Sequence, residues 1–277
     1  MRLLIFFILI LLLTGLTVYS EDGGHDKAKS HQWVVEQYLM ADTFPDFHKY
    51  LSKKAEYGAD TPVLGENIKY IKDSTEVIRT YRLLLETDTM VVYAMTVSFL
   101  GKTSDMYLYM TFEDGDWKIK QLRTLAMTGF MEIIVDSLET MPTIPDSLVH
   151  LYKSCKLVLS SDAELKQFLK DNIEKFERLL SEYQNSELTT HVLAPDMLNA
   201  HESDNEQYSA IQKMLLDFPL HLIKIENGYY NCNIGGMLDN QVGYLYIPEG
   251  VEVPKMNAAR FIYIEHIIGN WYIYKTT

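Results

Sequence analysis

Apolar residues recur at every second position between Val77 and Ile119, and that period confines the segment to strands. Val77, Tyr81, Leu83 and Leu85 mark the first run, with Arg79 in the same phase. Glu86-Thr87-Asp88-Thr89 turns the chain. In the next run Val91, Tyr93, Met95, Val97 and Phe99 point one way, with Val92, Ala94, Thr96 and Ser98 on the other side. After Gly101-Lys102-Thr103, Met106, Leu108, Met110 and Phe112 alternate with Asp105, Tyr107, Tyr109 and Thr111. Asp114-Gly115 makes a third tight turn, and Trp117-Lys118-Ile119-Lys120 returns. Such a run specifies an antiparallel meander with one apolar face and one mixed face.

Helical period brackets the meander. An amphipathic helix is expected over 27–40, with Val34, Val35, Tyr38 and Leu39 on one face, and a short one over 45–54 behind Pro45. A loop with Gly58, Pro62 and Gly65 follows. Residues 127–139 read as a helix with Phe130, Ile133, Ile134 and Leu138 on one side. Two prolines, Pro142 and Pro145, then mark a boundary. Another helix is expected over 147–156, with Leu148, Leu151, Tyr152 and Cys155 in one stripe.

Ser161-Asp162-Ala163-Glu164 is a capping box opening a long helix to about residue 182. Asp171 and Lys175 are spaced on it as an i,i+4 pair. Ser203-Asp204-Asn205-Glu206 reads as a second capping box. From Leu220 onward the pattern is strand, with a hairpin at Asn227-Gly228 and turns at Gly235-Gly236 and Asp239-Asn240.

The expected class is α+β: N-terminal helices packed on a curved antiparallel meander, then a second domain of helices and antiparallel sheet. The domains expected are a signal peptide over 1–20, a cone-like α+β domain over 21–140 and a second α+β domain over 147–277. A divergent repeat would relate the halves, because residues 107–119 align without gaps with 261–273 and share Gly-(Asp or Asn)-Trp-x-Ile. Trp117 and Trp271 in that motif are assigned structural roles, each clamping a sheet behind a tight turn. Two unrelated hairpins with ordinary turn chemistry account for the match equally well.

Helices followed by a meander closing on Asp114-Gly115-Asp116-Trp117-Lys118-Ile119 resemble the ketosteroid-isomerase-like superfamily, which includes nuclear transport factor two relatives. The resemblance covers about residues 30–125. It implies a cone-shaped sheet round a helix, with a pocket that is catalytic in some members and a binding surface in many. None of the family's catalytic positions can be matched in this chain. The stretch from Val242 to Thr277 is similar to tails of uncharacterised exported bacterial proteins, which carries no activity with it.

The N-terminus indicates export. Met1 and Arg2 precede an unbroken apolar run from Leu3 to Leu13, and small residues lie before Glu21. Cleavage is expected between Ser20 and Glu21. The apolar run to Val18 is shorter than the ~20 residues a spanning helix needs. A periplasmic or secreted protein is expected, with no stable membrane insertion after cleavage. Removing the leader takes Arg2 and no acid, leaving 24 basic and 38 acidic residues and a charge of −14. That balance repels nucleic acid and argues against it as a partner. Cys155 and Cys232 are the only cysteines; a disulfide and two separate buried thiols both fit their positions.

No motif fixes a chemistry. No histidine pair has metal-ligand spacing on one element; His191 and His201-Glu202 share a polar region that reads as solvated loop. Cys232 and His266 fall on strands of one expected sheet, but a lone cysteine on an apolar strand face is usually core. Seven tyrosines crowd the C-terminal sheet, either as strand formers or as a recognition surface. No catalytic, metal or cofactor-binding residue is assigned, and no cofactor is expected. The reading is an exported, non-catalytic binding or interaction module for an unknown protein or small ligand. The alternatives are a small-molecule enzyme on the isomerase-like pocket and a scaffold or inhibitor docking another envelope protein.

Overall fold

Side-chain alternation on β2 (Met90–Phe99) and β3 (Lys102–Glu113) puts large residues on both faces of one sheet, and both faces are covered. The computed structural model describes residues 29–41, 43–53, 55, 77–186, 188, 191–194 and 205–277. The expected leader with its cleavage point at Ser20 and Glu21, the loop glycines Gly58 and Gly65, and His201 to Asp204 lie outside these. No helix among the described residues is long and apolar enough to cross a membrane.

The described chain is α+β, with six α-helices and two antiparallel sheets. The first sheet is the expected meander, β1 (Ile78–Glu86), β2, β3 and β4 (Asp116–Arg123) in sequence order. Helix α1 (His31–Leu39) covers one face, capped by Ser30, whose Oγ accepts from Trp33 N (3.1 Å). Its Val34, Val35, Tyr38 and Leu39 are buried with Phe44, Phe47, Tyr93, Met95, Leu108 and Ile119. The helix expected over 45–54 shrinks to one 3-10 turn, Phe47–Tyr50. Asp46 is left-handed (φ 54°) before it, and Leu51 after it bridges to Ile119.

Val92, Ala94, Tyr107 and Tyr109 form the mixed face, and they join a core containing Ile262, Tyr263 and Trp271 from the second half. The Tyr107 ring stacks on Tyr263 at 4.7 Å, and Tyr109 Oη donates to Ile262 O (2.9 Å). Helix α2 (Thr128–Glu139) and α3 (Asp146–Val158) come next, joined through Pro142 and Pro145. The capping box at Ser161 and Glu164 forms and opens α4 (Asp162–Asp171). The long helix expected beyond it breaks at Asn172. Asn172 Nδ2 donates to Phe168 O (2.9 Å), and α5 (Ile173–Asn185) starts afresh. The break falls inside the Asp171–Lys175 spacing, and Lys175 Nζ donates to Asn172 Oδ1 (3.3 Å).

Helix α6 (Glu206–Asp217) is capped by Asn205, whose Oδ1 accepts from Gln207 N and Tyr208 N. The cap therefore sits two residues beyond the serine of the expected box. The second sheet runs β5 (Val192–Leu193), β6 (Leu222–Glu226), β7 (Tyr229–Met237), β8 (Asn240–Tyr246), β10 (Trp271–Thr276), β9 (Phe261–Ile268). Its order is not that of the first sheet, since β10 is interior and β4 is an edge. The Gly-x-Trp turns differ as well. Glu113 pairs with Asp116 around Asp114-Gly115, whereas Ile268 pairs with Trp271 around Gly269-Asn270.

The halves are tied by buried charge. Lys275 Nζ lies 2.8 Å from Asp162 Oδ1, both nearly inaccessible, and Tyr107 Oη donates to the same oxygen (2.8 Å). Asp162 N donates to Asp105 Oδ2 (2.7 Å). Burial pushes the Asp162 carboxyl above its ordinary range, with the Lys275 ammonium pulling against it. Nearby, Glu265 contacts Arg82, Tyr263 and Lys166.

Candidate functional site: a cleft over the Gly-Gly segment of β7

Gly235 and Gly236, expected to turn the chain, lie inside β7. The turn falls after them, at Leu238-Asp239. A Cβ on Gly236 would stand 2.0 Å from Asn240 O, so the close approach to β8 requires glycine. A Cβ on Gly235 would stand 3.3 Å from Val158 Cγ2, so its absence also lets α3 settle on the strand. Pairing shifts by one between Asn233 and Gly235. The side chain missing at Gly235 lies beneath α3, and the one missing at Gly236 would have met the β8 backbone.

A cleft of about 550 Å³ occupies that place. Met131 and Ile134 of α2, Leu148, Leu151 and Cys155 of α3, and Ile234 of β7 are among its walls. Phe130, 55 % exposed, and Leu238, 78 % exposed, belong to the lining and stand at its mouth. The stripe expected on α2 is corrected. Met131, Val135 and Leu138 face the core, while Phe130 and Ile133 point outward. On α3, Leu148, Leu151 and Cys155 face the cleft as one stripe, and Tyr152 turns aside to donate to Glu139 Oε1 (2.8 Å).

Three polar groups of α3 matter here. His150 Nε2 lies 3.1 Å from Leu220 O, so Nε2 carries the proton and donates. Burial holds this imidazole below its ordinary value of 6.5, which keeps it neutral near pH 7. Cys155 is buried and free, and burial pushes its thiol up, away from thiolate. Ser154 lines the cleft with its Oγ buried and without a hydrogen-bond partner. Of the three, only Cys155 stood out in the sequence, and as a core thiol or half of a disulfide. The readable signal was the pair of glycines inside an otherwise strand-like run.

The other candidates are placed elsewhere. Cys232 is free, fully buried, and its thiol is pushed up to about 12 by burial. Its strand β7 is three strand spacings from β9, which carries His266, roughly 14 Å at ~4.8 Å per spacing. His266 Nε2 instead contacts Gly269 O (2.7 Å). The thiol–imidazole pair does not assemble. His191 is exposed. Among the described residues no group of three or more His, Cys, Asp or Glu could hold a metal ion.

Of the seven C-terminal tyrosines, Tyr229, Tyr244, Tyr263 and Tyr274 are buried and none is exposed. Their hydroxyls are used internally: Tyr244 Oη donates to Leu165 O (2.7 Å) and Tyr274 Oη to Asn231 Oδ1 (2.9 Å). Trp271 is 1 % exposed, packs edge-on against Phe176 (5.5 Å), and donates from Nε1 to Glu177 Oε1 (2.7 Å). Trp117 is half-buried, edge-on to His31 (5.3 Å) and Phe112 (5.3 Å).

On the α1 side of the first sheet, two pairs of polar side chains are joined. His31 Nδ1 lies 2.6 Å from Tyr93 Oη, and Tyr81 Oη donates to Glu36 Oε1 (2.5 Å). No protein-family model, no curated protein and no solved structure matches this chain.

Proposed function

We propose that the protein is a non-catalytic binding module that works outside the cytoplasm and takes a small apolar molecule into the cleft between α2, α3 and β7. The cleft itself carries this reading: about 550 Å³, with more of its wall supplied by aliphatic and aromatic side chains than by polar ones and no Asp, Glu, Lys or Arg among them. Ligand sites of ~300–1,000 Å³ with such walls hold most of a small molecule's surface. Catalysis finds less support there. The walls carry no carboxylate, one of their imidazoles is spent on Leu220 O, and the thiol is held protonated. Export rests on the leader, with its basic start and short apolar centre.

The test fills the cleft. Leu148→Trp should leave the fold intact and abolish binding of an environment-sensitive apolar dye that the parent protein takes up. Native mass spectrometry of the parent should show a co-purified small molecule that the variant lacks. A parent protein that takes up neither dye nor molecule defeats the proposal. Intact mass of exported material checks the leader, and a mass that retains residues 1–20 defeats that part.

A further inference from the structure

We infer that the cleft selects an uncharged, mostly hydrocarbon molecule with one hydrogen-bond acceptor, the chemistry of a neutral lipid ester, and rejects the free carboxylate of equal chain length. This rests on the binding reading above and adds the ligand's charge and polar group.

Charge is the first ground. No Asp, Glu, Lys or Arg lines the cleft. The only imidazoles in its wall are His150 and His221, so a carboxylate drawn inside would lose water with no fixed cation to meet it, which is costly in a protein interior. Three cations of this half are engaged with acids elsewhere. Lys156 contacts Glu139 (3.0 Å), Lys224 contacts Glu226 (2.8 Å) and Lys275 contacts Asp162 (2.8 Å). His150 offers no positive charge near pH 7, since its proton on Nε2 is given to Leu220 O and its ring is neutral. The chain's excess of acids repels an anion further.

Ser154 is the second ground. Its residue is 8 % exposed, it lines the cleft, and its hydroxyl has no partner. Buried hydroxyls are nearly always bonded, so an orphan in the wall of an apolar cleft is a donor waiting for an acceptor. In the structure this Oγ is buried behind the cleft wall, and a turn about χ1 to another staggered position is what would bring it to an occupant. An ester or ketone oxygen accepts that bond without bringing charge. The exposed Phe130 and Leu238 at the mouth extend the apolar surface for a chain longer than the cleft.

The experiment titrates the full chain with cis-parinaric acid and with its methyl ester, read by polyene fluorescence at neutral pH. The ester should bind at least about tenfold more tightly than the ionised acid. Ser154→Ala should weaken the ester about three- to tenfold, the worth of one neutral hydrogen bond. The same variant should melt no lower than the parent, which separates a ligand contact from a structural one. Leu148→Trp should remove ester binding. Met237→Trp fills the cleft from the opposite wall and serves if the first variant does not fold.

Equal affinity for acid and ester overturns the neutral-lipid inference while leaving the binding reading intact. Ester binding that survives both filling variants places the probe elsewhere and overturns both. No uptake of either probe by the folded parent overturns the binding reading, and this inference with it.

Discussion

The first sheet and the α2–α3 hairpin meet their neighbours in opposite ways. On the first sheet large side chains alternate to both faces, and each face has a close-packed partner, α1 on one side and the second half on the other. Over β7 the strand offers Gly235 and Gly236 where the hairpin offers Leu148, Leu151 and Met131, and a cleft remains. Polar groups follow the same division. Tyr107, Asp162 and Lys275 satisfy one another at depth, whereas Ser154 in the cleft wall has no partner. Buried polar groups are not all satisfied in the first sheet either, since Arg79 Nε on β1 also lacks a hydrogen bond.

That contrast can be broken by substitution, and the largest effects belong to the closed region. Trp271→Ala should cost ~3–5 kcal/mol in chemical denaturation, because it empties a site shared with Phe176 and Tyr246 and strips the Glu177 bond. Trp117→Ala on its half-buried edge should cost less, about 1–2 kcal/mol. Equal costs would mean that the two tryptophans do the same work after all.

Asp162→Ala should likewise cost about 3–5 kcal/mol, since it leaves Lys275 buried without its counter-charge. Replacing the pair together, Asp162→Leu with Lys275→Met, should recover much of that loss. A double variant as weak as the single one would show that the hydrogen bond from Tyr107, and not the ion pair, dominates.

The open region should respond in the other direction. Ser154→Ala removes an unsatisfied buried hydroxyl and should raise stability by up to about 1 kcal/mol. A clear loss instead would show that the hydroxyl already has a partner in solution.

The smallest effect is a pH dependence. His150 is held below 6.5, so its contribution is fully present above that value and is lost as pH falls from 6.5 through the lower folded value. His150→Gln keeps a donor for Leu220 O but cannot be protonated. Its melting temperature should therefore fall less steeply than the parent's over that acid window. Parallel curves would exclude His150 as the titrating group.

Local chemistry was legible before any coordinates. The meander, the capping box at Ser161, the hairpin at Asn227-Gly228 and the helix break at Pro142 and Pro145 all rest on neighbours in sequence, and each forms. Misreadings arose where a local pattern had two solutions. Asn172 can continue a helix or bond its own preceding turn, and it does the second. Gly235-Gly236 can turn a chain or let a strand lie close, and its approach to Asn240 and Val158 selects the second. On α2 the apolar residues outnumber one face, so periodicity could not say that Phe130 and Ile133 would be left outside.

By itself the sequence determined the class, the alternation of both sheets and the helix start at Ser161, because these follow from residues a few positions apart. Tertiary structure alone decided that the mixed face of the meander is buried, that Cys232 and His266 stay apart, and that the cleft lies over β7. Those outcomes depend on which strand neighbours which and on where two glycines fall beneath a helix. Distances across a sheet, rather than along the chain, set them.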